Sequence, residues 1–138
     1  MASILKAMQE YLEACPAIDL VHLDTVAENP SDYAVTLAGN SKVSEDLAGN
    51  KTYRYNFVFY AREDTGNDID RTVNHDFLQG FADWLEEQDE AGNYPALPAN
   101  CIAEEVAVSN ILLFAVDDNG SAGIYQVQLQ LIYTKRSD

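Results

Sequence analysis

The chain has 138 residues with 47% hydrophobic content, and its 23 Asp and Glu against 8 Lys and Arg give a formal net charge of −15. This length and apolar fraction exclude a disordered chain and predict a single domain over residues 1–138. The charge disfavours binding to nucleic-acid phosphates, which needs clustered cations. Only two small concentrations occur, at Lys51 with Arg54 and at Lys135 with Arg136. Such an acidic charge increases solubility, and it would also suit a surface past which DNA slides without sticking.

The sequence also indicates the cellular setting. No apolar run approaches the ~20 residues of a membrane span, and the N-terminus lacks the basic start and apolar core of a signal peptide. We therefore expect a protein that begins in the cytoplasm. Cys15 and Cys101 occur in no CxxC or metal-ligand spacing. Cys15 falls on the apolar stripe of the first predicted helix, which favours a buried free thiol, and we expect no disulfide.

The first predicted elements are a helix and two short strands. The helix covers residues 3–14, and Pro16 terminates it. The strands follow at residues 20–24 and 33–37, joined through the turn residues 29–32. The apolar face of the helix consists of Ile4, Leu5, Met8, Tyr11, Leu12 and Cys15.

Residues 38–52 are small and polar, with turn signals at Gly39-Asn40 and Gly49-Asn50. They form either a mobile loop or a thin protruding hairpin. From residue 52 to residue 62 the apolar period becomes two, which predicts a half-buried central strand. The residues on one face of this strand are Tyr53, Tyr55, Phe57, Phe59 and Ala61.

A long amphipathic helix is predicted over residues 68–91, with Asn67-Asp68 as candidate caps. Gly92-Asn93 supplies a left-handed cap, and Pro95 and Pro98 prevent the helix from resuming. The apolar stripe of the helix consists of Ile69, Val73, Phe77, Phe81, Trp84, Leu85 and Gln88.

The last turns of this helix are crowded with acids, namely Glu86, Glu87, Asp89 and Glu90. The helix dipole is already negative there, so each acid costs about 0.3–1 kcal/mol. Such a patch is either a solvated face or a contact surface for a partner. We treat the four acids as candidate partner contacts.

Further strands are predicted over residues 102–108, 111–116 and 123–134, with a turn at residues 117–121. The order helix, strands, helix, strands predicts an α+β fold. In this fold the N-terminal helix and the long central helix pack on a mainly antiparallel β-sheet. One face of the last strand is uncharged and polar, and either meets water or lines a lumen. Its residues, also candidate partner contacts, are Gln126, Gln128 and Gln130.

The sequence shows no catalytic or metal-binding constellation. Neither His22 nor His75 is placed near a nucleophile, and no G-x-S-x-G, H-E-x-x-H or P-loop spacing occurs. His75 falls opposite the apolar stripe of its helix, which predicts a surface position. Residues 117–120, Asp-Asp-Asn-Gly, lack the acidic ligand that an EF-hand requires, which favours an ordinary hairpin turn. We predict no enzyme activity, no cofactor and no metal.

Several segments together resemble one known family. They are Tyr11-Leu12 with Cys15-Pro16, the aromatic strand Tyr55-Asn56-Phe57-Val58-Phe59, Trp84-Leu85-Glu86-Glu87-Gln88, Tyr94-Pro95-Ala96-Leu97-Pro98 and Tyr125-Gln126-Val127-Gln128-Leu129. The chain resembles small minor capsid or tail-terminator proteins of tailed bacteriophages and of prophages in Gram-positive bacteria. The resemblance runs over nearly the whole length and is weakest over residues 26–51.

The resemblance implies a structural role in the virion. Tail terminators are α+β proteins that form a ring on the tail tube, stop its polymerisation and present a surface to the head connector. The implied partners are further copies of the chain in a ring (a hexamer), the tail-tube protein and the head–tail connector protein, without membrane or specific nucleic-acid binding. The implied location is the host cytoplasm during assembly and then the virion. A neighbouring head–tail completion role is left open.

A binding module is the alternative from another functional class. Aromatic side chains would line a pocket for a small molecule or a peptide in such a module, and the candidates are Tyr53, Tyr60, Tyr125 and Tyr133. The same tyrosines also suit the core of a sheet.

Overall fold

The computed structural model describes residues 3–16, 18, 21–23, 32–64, 68–116 and 122–136. Residues 29–31 of the predicted turn at 29–32, the predicted turn at 117–121 and the candidate cap Asn67 lie outside them, and Asp32 begins a strand instead of ending a turn. The elements in the described ranges are helices α1 (Ile4–Glu13) and α2 (Asp68–Ala91) and strands β1 (Val21–Leu23), β2 (Asp32–Glu45), β3 (Lys51–Asp64), β4 (Cys101–Val116) and β5 (Ala122–Lys135). No helix in these ranges is long and apolar enough to cross a membrane.

Within the described residues the strands form a five-stranded sheet in the order β1-β2-β3-β5-β4. β1 runs parallel to β2, and the other neighbouring pairs are antiparallel. The predicted α+β fold with a mainly antiparallel sheet is therefore confirmed. β3 and β5 pair from Lys51↔Lys135 to Asp64↔Ala122. Paired residues lie on the same face of a sheet, so these two central strands share one core face.

The core lies between the helices and one face of the sheet. Side chains alternate along a strand, so the odd-numbered residues of β3 and β5 point toward the helices. Phe57, Phe59 and Leu129 are buried there, and the ring of Phe59 stacks on that of Phe81 from α2 at 4.6 Å between centroids. This confirms the period of two that the sequence predicts for these strands.

The start of α1 and the end of α2 agree with their sequences. Ser3 caps α1 because its side-chain oxygen accepts a hydrogen bond from the first turn. At the end of α2, Gly92 adopts the left-handed conformation with φ 75°. The N–H of Asn93 then donates to the carbonyl of Gln88 at 2.8 Å, and that of Gly92 donates to the carbonyl of Asp89 at 3.1 Å. These two bonds define a Schellman motif, so the predicted helix stop is confirmed.

The buried face of α2 differs from the predicted stripe. The residues buried against the sheet are Asn74, Leu78, Phe81 and Leu85. Val73 was predicted on the stripe but is 59% exposed, and Phe77 and Trp84 are only half buried. The apolar periodicity leaves Asn74 off the stripe because its side chain is polar. In the fold its amide lies 3.4 Å from the Tyr125 hydroxyl, which provides a polar partner in the core. The buried stripe is therefore rotated, and apolar side chains are left on one flank of the helix.

β4 is one strand where two were predicted. The polar pair Ser109-Asn110 reads as a break in the sequence, but it forms a β-bulge between Val108 and Asn110. The Ser109 hydroxyl donates to the carbonyl of Gln128 at 3.2 Å, so the interruption is still tied to the neighbouring strand. β4 is an edge strand with further register shifts, and bulges of this kind are common at sheet edges.

Candidate interaction surfaces

Residues 38–52 form a hairpin that projects from the sheet, which we call the hairpin arm. β2 and β3 remain paired as far as Glu45↔Lys51, so the protruding hairpin is the observed alternative and the mobile loop is not. Every residue from 40 to 48 is exposed. No residue of this fully described segment belongs to the hydrophobic core. The arm is thus a paired hairpin that contributes no side chain to the core.

A well-bonded turn presents one apolar side chain at the tip of the arm. The Asp46 carboxylate accepts hydrogen bonds from the N–H groups of Ala48 and Asn50 at 2.9 and 3.0 Å and from the Asn50 amide at 3.0 Å. These bonds, that of the Asn50 side chain foremost, lower the pKa of Asp46. Gly49 supplies the left-handed residue of the turn, with φ 88°. Leu47, next to Asp46 in this turn, is fully exposed.

The base of the arm is basic, although the protein as a whole carries a net charge of −15. In the sheet register Lys51 faces Glu45 on one side and Lys135 on the other. Lys51, Lys135 and Arg136 line a cavity of about 200 Å³ together with Gly49. The fold thereby joins cations that the sequence shows only as two small, separate concentrations. Like charges directly opposite each other destabilise a sheet, so fold stability does not explain this arrangement.

An open groove of about 470 Å³ lies between the end of α1 and the middle of α2. Its apolar wall contains Phe77, Phe81 and Trp84 from the flank of α2. Three exposed carboxylates lie along the same groove, namely Asp76, Asp83 and Glu87. The groove is therefore apolar inside and acidic around its rim.

Gly80 lies in the wall of this groove, in the interior of α2. A Cβ atom placed on Gly80 would meet nothing within 4 Å, so no neighbouring atom requires a glycine at this position. Glycine in a helix interior costs about 0.8–1 kcal/mol relative to alanine. The helix is therefore less stable here than it would be with alanine, although no neighbouring atom requires the glycine. Because Gly80 has no side chain, the groove stays open.

Three of the four acids at the end of α2 are exposed, and the fourth is bonded within the chain. Glu86, Glu87 and Glu90 are exposed. Asp89 accepts hydrogen bonds from the Tyr94 hydroxyl at 2.9 Å and from the N–H of Val106 at 3.0 Å. The acids predicted as one contact patch thus lie together, but Asp89 also joins the helix to β4.

Two tyrosine hydroxyls near this helix end have raised pKa values. Burial is the main cause of the raised pKa of Tyr11, and the charge of Asp89 adds to it. Burial is likewise the first cause of the raised pKa of Tyr94, followed by its hydrogen bond to Asp89. Both phenols therefore stay neutral, and they act as hydrogen-bond donors: Tyr11 donates to the carbonyl of Asn93 at 2.9 Å.

The glutamine row lies elsewhere in the molecule. Gln126, Gln128 and Gln130 alternate with the buried residues of β5, so they point to the face of the sheet opposite the helices, where they are half exposed. In register they neighbour Tyr60, Val58 and Asn56 of β3. The two predicted contact sets therefore occupy different surfaces.

The tyrosines of the binding-module alternative do not converge on one pocket. Tyr125 and Tyr133 are buried on the core face, and Tyr53 packs there on Tyr133 with ring centroids 5.5 Å apart. Tyr60 has even parity on β3 and points to the opposite face. Three of the four tyrosines therefore belong to the sheet core or pack against it, and Tyr60 does not.

Other candidates from the sequence are placed as follows. His75 is exposed, as predicted, with its ring 5.6 Å from that of Tyr125, and His22 is half buried in β1. Cys15 is buried, as predicted, Cys101 is partly exposed, and the two thiols are not joined in a disulfide. The described part of the chain contains no group of three or more His, Cys, Asp or Glu able to hold a metal ion.

Sequence reasoning missed the groove and the basic base of the arm. A glycine inside a helical pattern, at Gly80, was the available signal for the groove. No local signal could show that Lys51 and Lys135 meet, because that contact depends on strand order.

Comparisons with known proteins find similarity to chains of solved structures. No protein-family model matches the sequence, and no curated protein matches it. A chain in the structure described as "Virion of native gene transfer agent (GTA) particle" is similar to this protein, with a TM-score of 0.48 and 15% sequence identity. The similarity covers 82% of this chain and 78% of that chain. These values are too low to transfer a function.

Proposed function

We propose that this protein is a structural virion-assembly protein of a tailed phage or prophage. More narrowly, we propose a tail terminator that closes into a hexameric ring on the tail tube and joins the tube to the head connector. The observation that carries the proposal is the hairpin arm. An ordered hairpin with a fully exposed Leu47 at its tip is the kind of element that a partner covers in an assembly.

The segments that resemble tail terminators also contact one another in the fold. The ring of Tyr11 lies 5.7 Å from that of Trp84, and the Tyr11 hydroxyl donates to the carbonyl of Asn93. Tyr94 in turn donates to Asp89 at the end of α2. Three of the resembling stretches therefore lie together at one corner of the molecule. Their proximity supports the interpretation that they belong to one architecture shared with tail terminators.

The two predicted contact sets have separate roles in this proposal. The exposed acids Glu86, Glu87 and Glu90 face basic residues of a partner or the path of the DNA, where negative charge keeps the duplex from sticking. The row of Gln126, Gln128 and Gln130 contributes an uncharged polar surface to the ring. Assembly takes place in the host cytoplasm, and the finished ring remains in the virion.

Self-assembly and tube capping test the proposal directly. The full chain is sedimented at high concentration and raised salt, with and without a tail-tube protein from the same phage or prophage. Raised salt matters because copies with this net charge repel one another at low ionic strength. We expect a mass of six copies, and tubes of limited length when the protein is added to polymerising tail-tube protein. A strict monomer under both conditions contradicts the ring.

The neighbouring head–tail completion role predicts a different result. A completion protein binds the purified connector and leaves the length of tail tubes unchanged. A tail terminator limits the length of the tubes and binds at their ends. Electron micrographs of tubes polymerised with and without the protein distinguish these roles.

A further inference from the structure

We infer that the hairpin arm of one copy docks in the groove between α1 and α2 of the next copy. The inference rests on the proposed ring and identifies the two surfaces that would form its repeated contact. The arm contributes Leu47 and the cations at its base. The groove contributes an apolar wall with Phe77 and Trp84 and a rim of carboxylates.

The apolar parts of the two surfaces complement each other. Leu47 is a single fully exposed apolar side chain on a turn held by Asp46. The groove is an open apolar depression of about 470 Å³ bordered by half-buried Phe77 and Trp84. A leucine side chain inserted beside these rings removes apolar surface from water on both copies, which drives association.

The charges of the two surfaces are also complementary. The base of the arm carries three of the 8 Lys and Arg residues of the chain, namely Lys51, Lys135 and Arg136. The groove rim carries the exposed Asp83 and Glu87. Contact between a basic patch and an acidic rim favours this pairing and opposes the docking of two arms or two grooves.

Neither surface is optimised for the stability of the isolated chain. Lys135 faces Lys51 directly across the sheet, and Gly80 interrupts a helix without a steric need. Glu87 adds negative charge near the negative end of the α2 dipole. All three features are unfavourable in one copy, and all three lie where docking would use them.

The arm and the groove share no residue, which determines the symmetry of the contact. A contact between two different surfaces of the same chain is heterologous, and repeating it produces either a closed ring or an open filament. The inferred docking therefore belongs to the ring that the proposed function requires.

The first test uses substitutions at Gly80, because their effects on folding and on docking have opposite signs. Gly80→Met should raise the Tm by about 4 °C through helix propensity and should fill the groove. We expect the affinity between copies to fall about tenfold in Gly80→Met, as for the loss of one buried leucine. The variant ring should therefore dissociate at a protein concentration about tenfold higher than the wild-type ring does. Gly80→Ala is the matched control, with a similar gain in Tm and an open groove. Equal assembly of Gly80→Met and wild type would overturn the inference.

The second test removes the apolar tip of the arm. Leu47→Ser should leave the Tm unchanged, since the side chain is fully exposed, and weaken the ring about tenfold. Leu23→Ser is the control, because Leu23 is 39% exposed and lies on β1, outside the arm, its basic base and the groove. An equal effect of the two substitutions would overturn the inference.

The third test exchanges charges between the two surfaces. Lys135→Glu and Glu87→Lys should each weaken the ring while leaving the Tm unchanged or higher, because each relieves an unfavourable charge within one copy. The double variant keeps the net charge of −15 and should assemble better than either single variant. Additive loss in the double variant would overturn the pairing of these surfaces.

These results separate the inference from the proposed function. If the wild type forms no ring even with tail-tube protein, the proposed function fails. If the wild type forms a ring that all the arm and groove variants also form, the function stands and the docking inference is wrong. Loss of tube binding with an intact ring would assign the arm to the tail-tube protein, and it would also overturn the inference.

Discussion

The carboxylate of Asp89, in the last turn of α2, accepts a hydrogen bond from the backbone N–H of Val106 in β4 at 3.0 Å. The same carboxylate oxygen accepts from the Tyr94 hydroxyl at 2.9 Å. One side chain thereby fixes the end of the helix, the segment that follows it and the edge strand. An acid that is unfavourable for the helix dipole is thus favourable for the tertiary structure.

Replacing Asp89 with alanine should destabilise the fold by about 2–3 kcal/mol, because the partly buried Val106 N–H loses a charge-assisted partner. Asp89→Asn retains an acceptor oxygen and should cost less. Glu90→Ala is the control, since Glu90 is exposed and its removal relieves the helix dipole. Urea unfolding monitored by Trp84 fluorescence measures all three variants. Wild-type stability of Asp89→Ala would show that the bond to β4 contributes nothing.

The sheet and the helix stop were predictable because their signals are local. The period of two places Phe57 and Phe59 on the core face of β3, and Gly92-Asn93 defines the end of α2. The buried face of α2 was mispredicted because the burial of Asn74 depends on Tyr125, which is distant in sequence. A sequence pattern shows the polarity of a residue but not the tertiary partner that permits its burial.

The candidate surfaces were predictable only in part. The acids from Glu86 to Glu90 are contiguous in sequence, and a helix places them together. The basic base of the arm needs the pairing of β3 with β5, which no local pattern encodes. In the sequence Leu47 is one of two large apolar residues in a polar stretch, with Val43, and its full exposure follows only from the turn that Asp46 holds.

The turn at the tip of the arm should respond to acid. Hydrogen bonds from Asn50 and Ala48 hold the pKa of Asp46 below its ordinary value. A carboxyl whose pKa is lower in the folded state stabilises that state above the unfolded pKa of about 3.9, and this contribution is lost as the pH falls through the folded pKa. The tip should therefore be ordered at neutral pH and loosen only in strong acid.

NMR titration measures this response at single residues. The Asp46 carboxyl should titrate below the range of ordinary aspartates, and the amide signals of Ala48 and Asn50 should shift with it. Asp46→Asn should remove that transition from both amides. An Asp46 that titrates like an unstructured aspartate would show that the turn is not formed in solution.

Shortening the arm should separate folding from assembly. Ser44 and Thr52 face each other across the hairpin, so replacing residues 45–51 with Asn-Gly closes the arm with a two-residue turn. The change removes no core residue, and we expect the free energy of unfolding to stay within about 1 kcal/mol of the wild type, since loop length has a weak effect. Ring formation should be lost in sedimentation at raised salt. A shortened protein that does not unfold cooperatively would make the arm part of the folding unit.

The exposed acids at the end of α2 give the last prediction, which concerns function in the virion. Glu86, Glu87 and Glu90 lie at the negative end of the helix dipole, while Trp84 and Leu85 hold that end against the core. A triple substitution to Gln relieves the dipole and should leave stability unchanged or raise it by up to about 1 kcal/mol. The yield of infectious particles, or of tails of correct length, should fall because a fixed negative patch is lost. The matched control is Glu10→Gln with Lys6→Gln on α1, which removes an exposed ion pair without changing the net charge. A triple variant that is less stable and fully functional would make these acids structural, and the patch would then have no role in assembly.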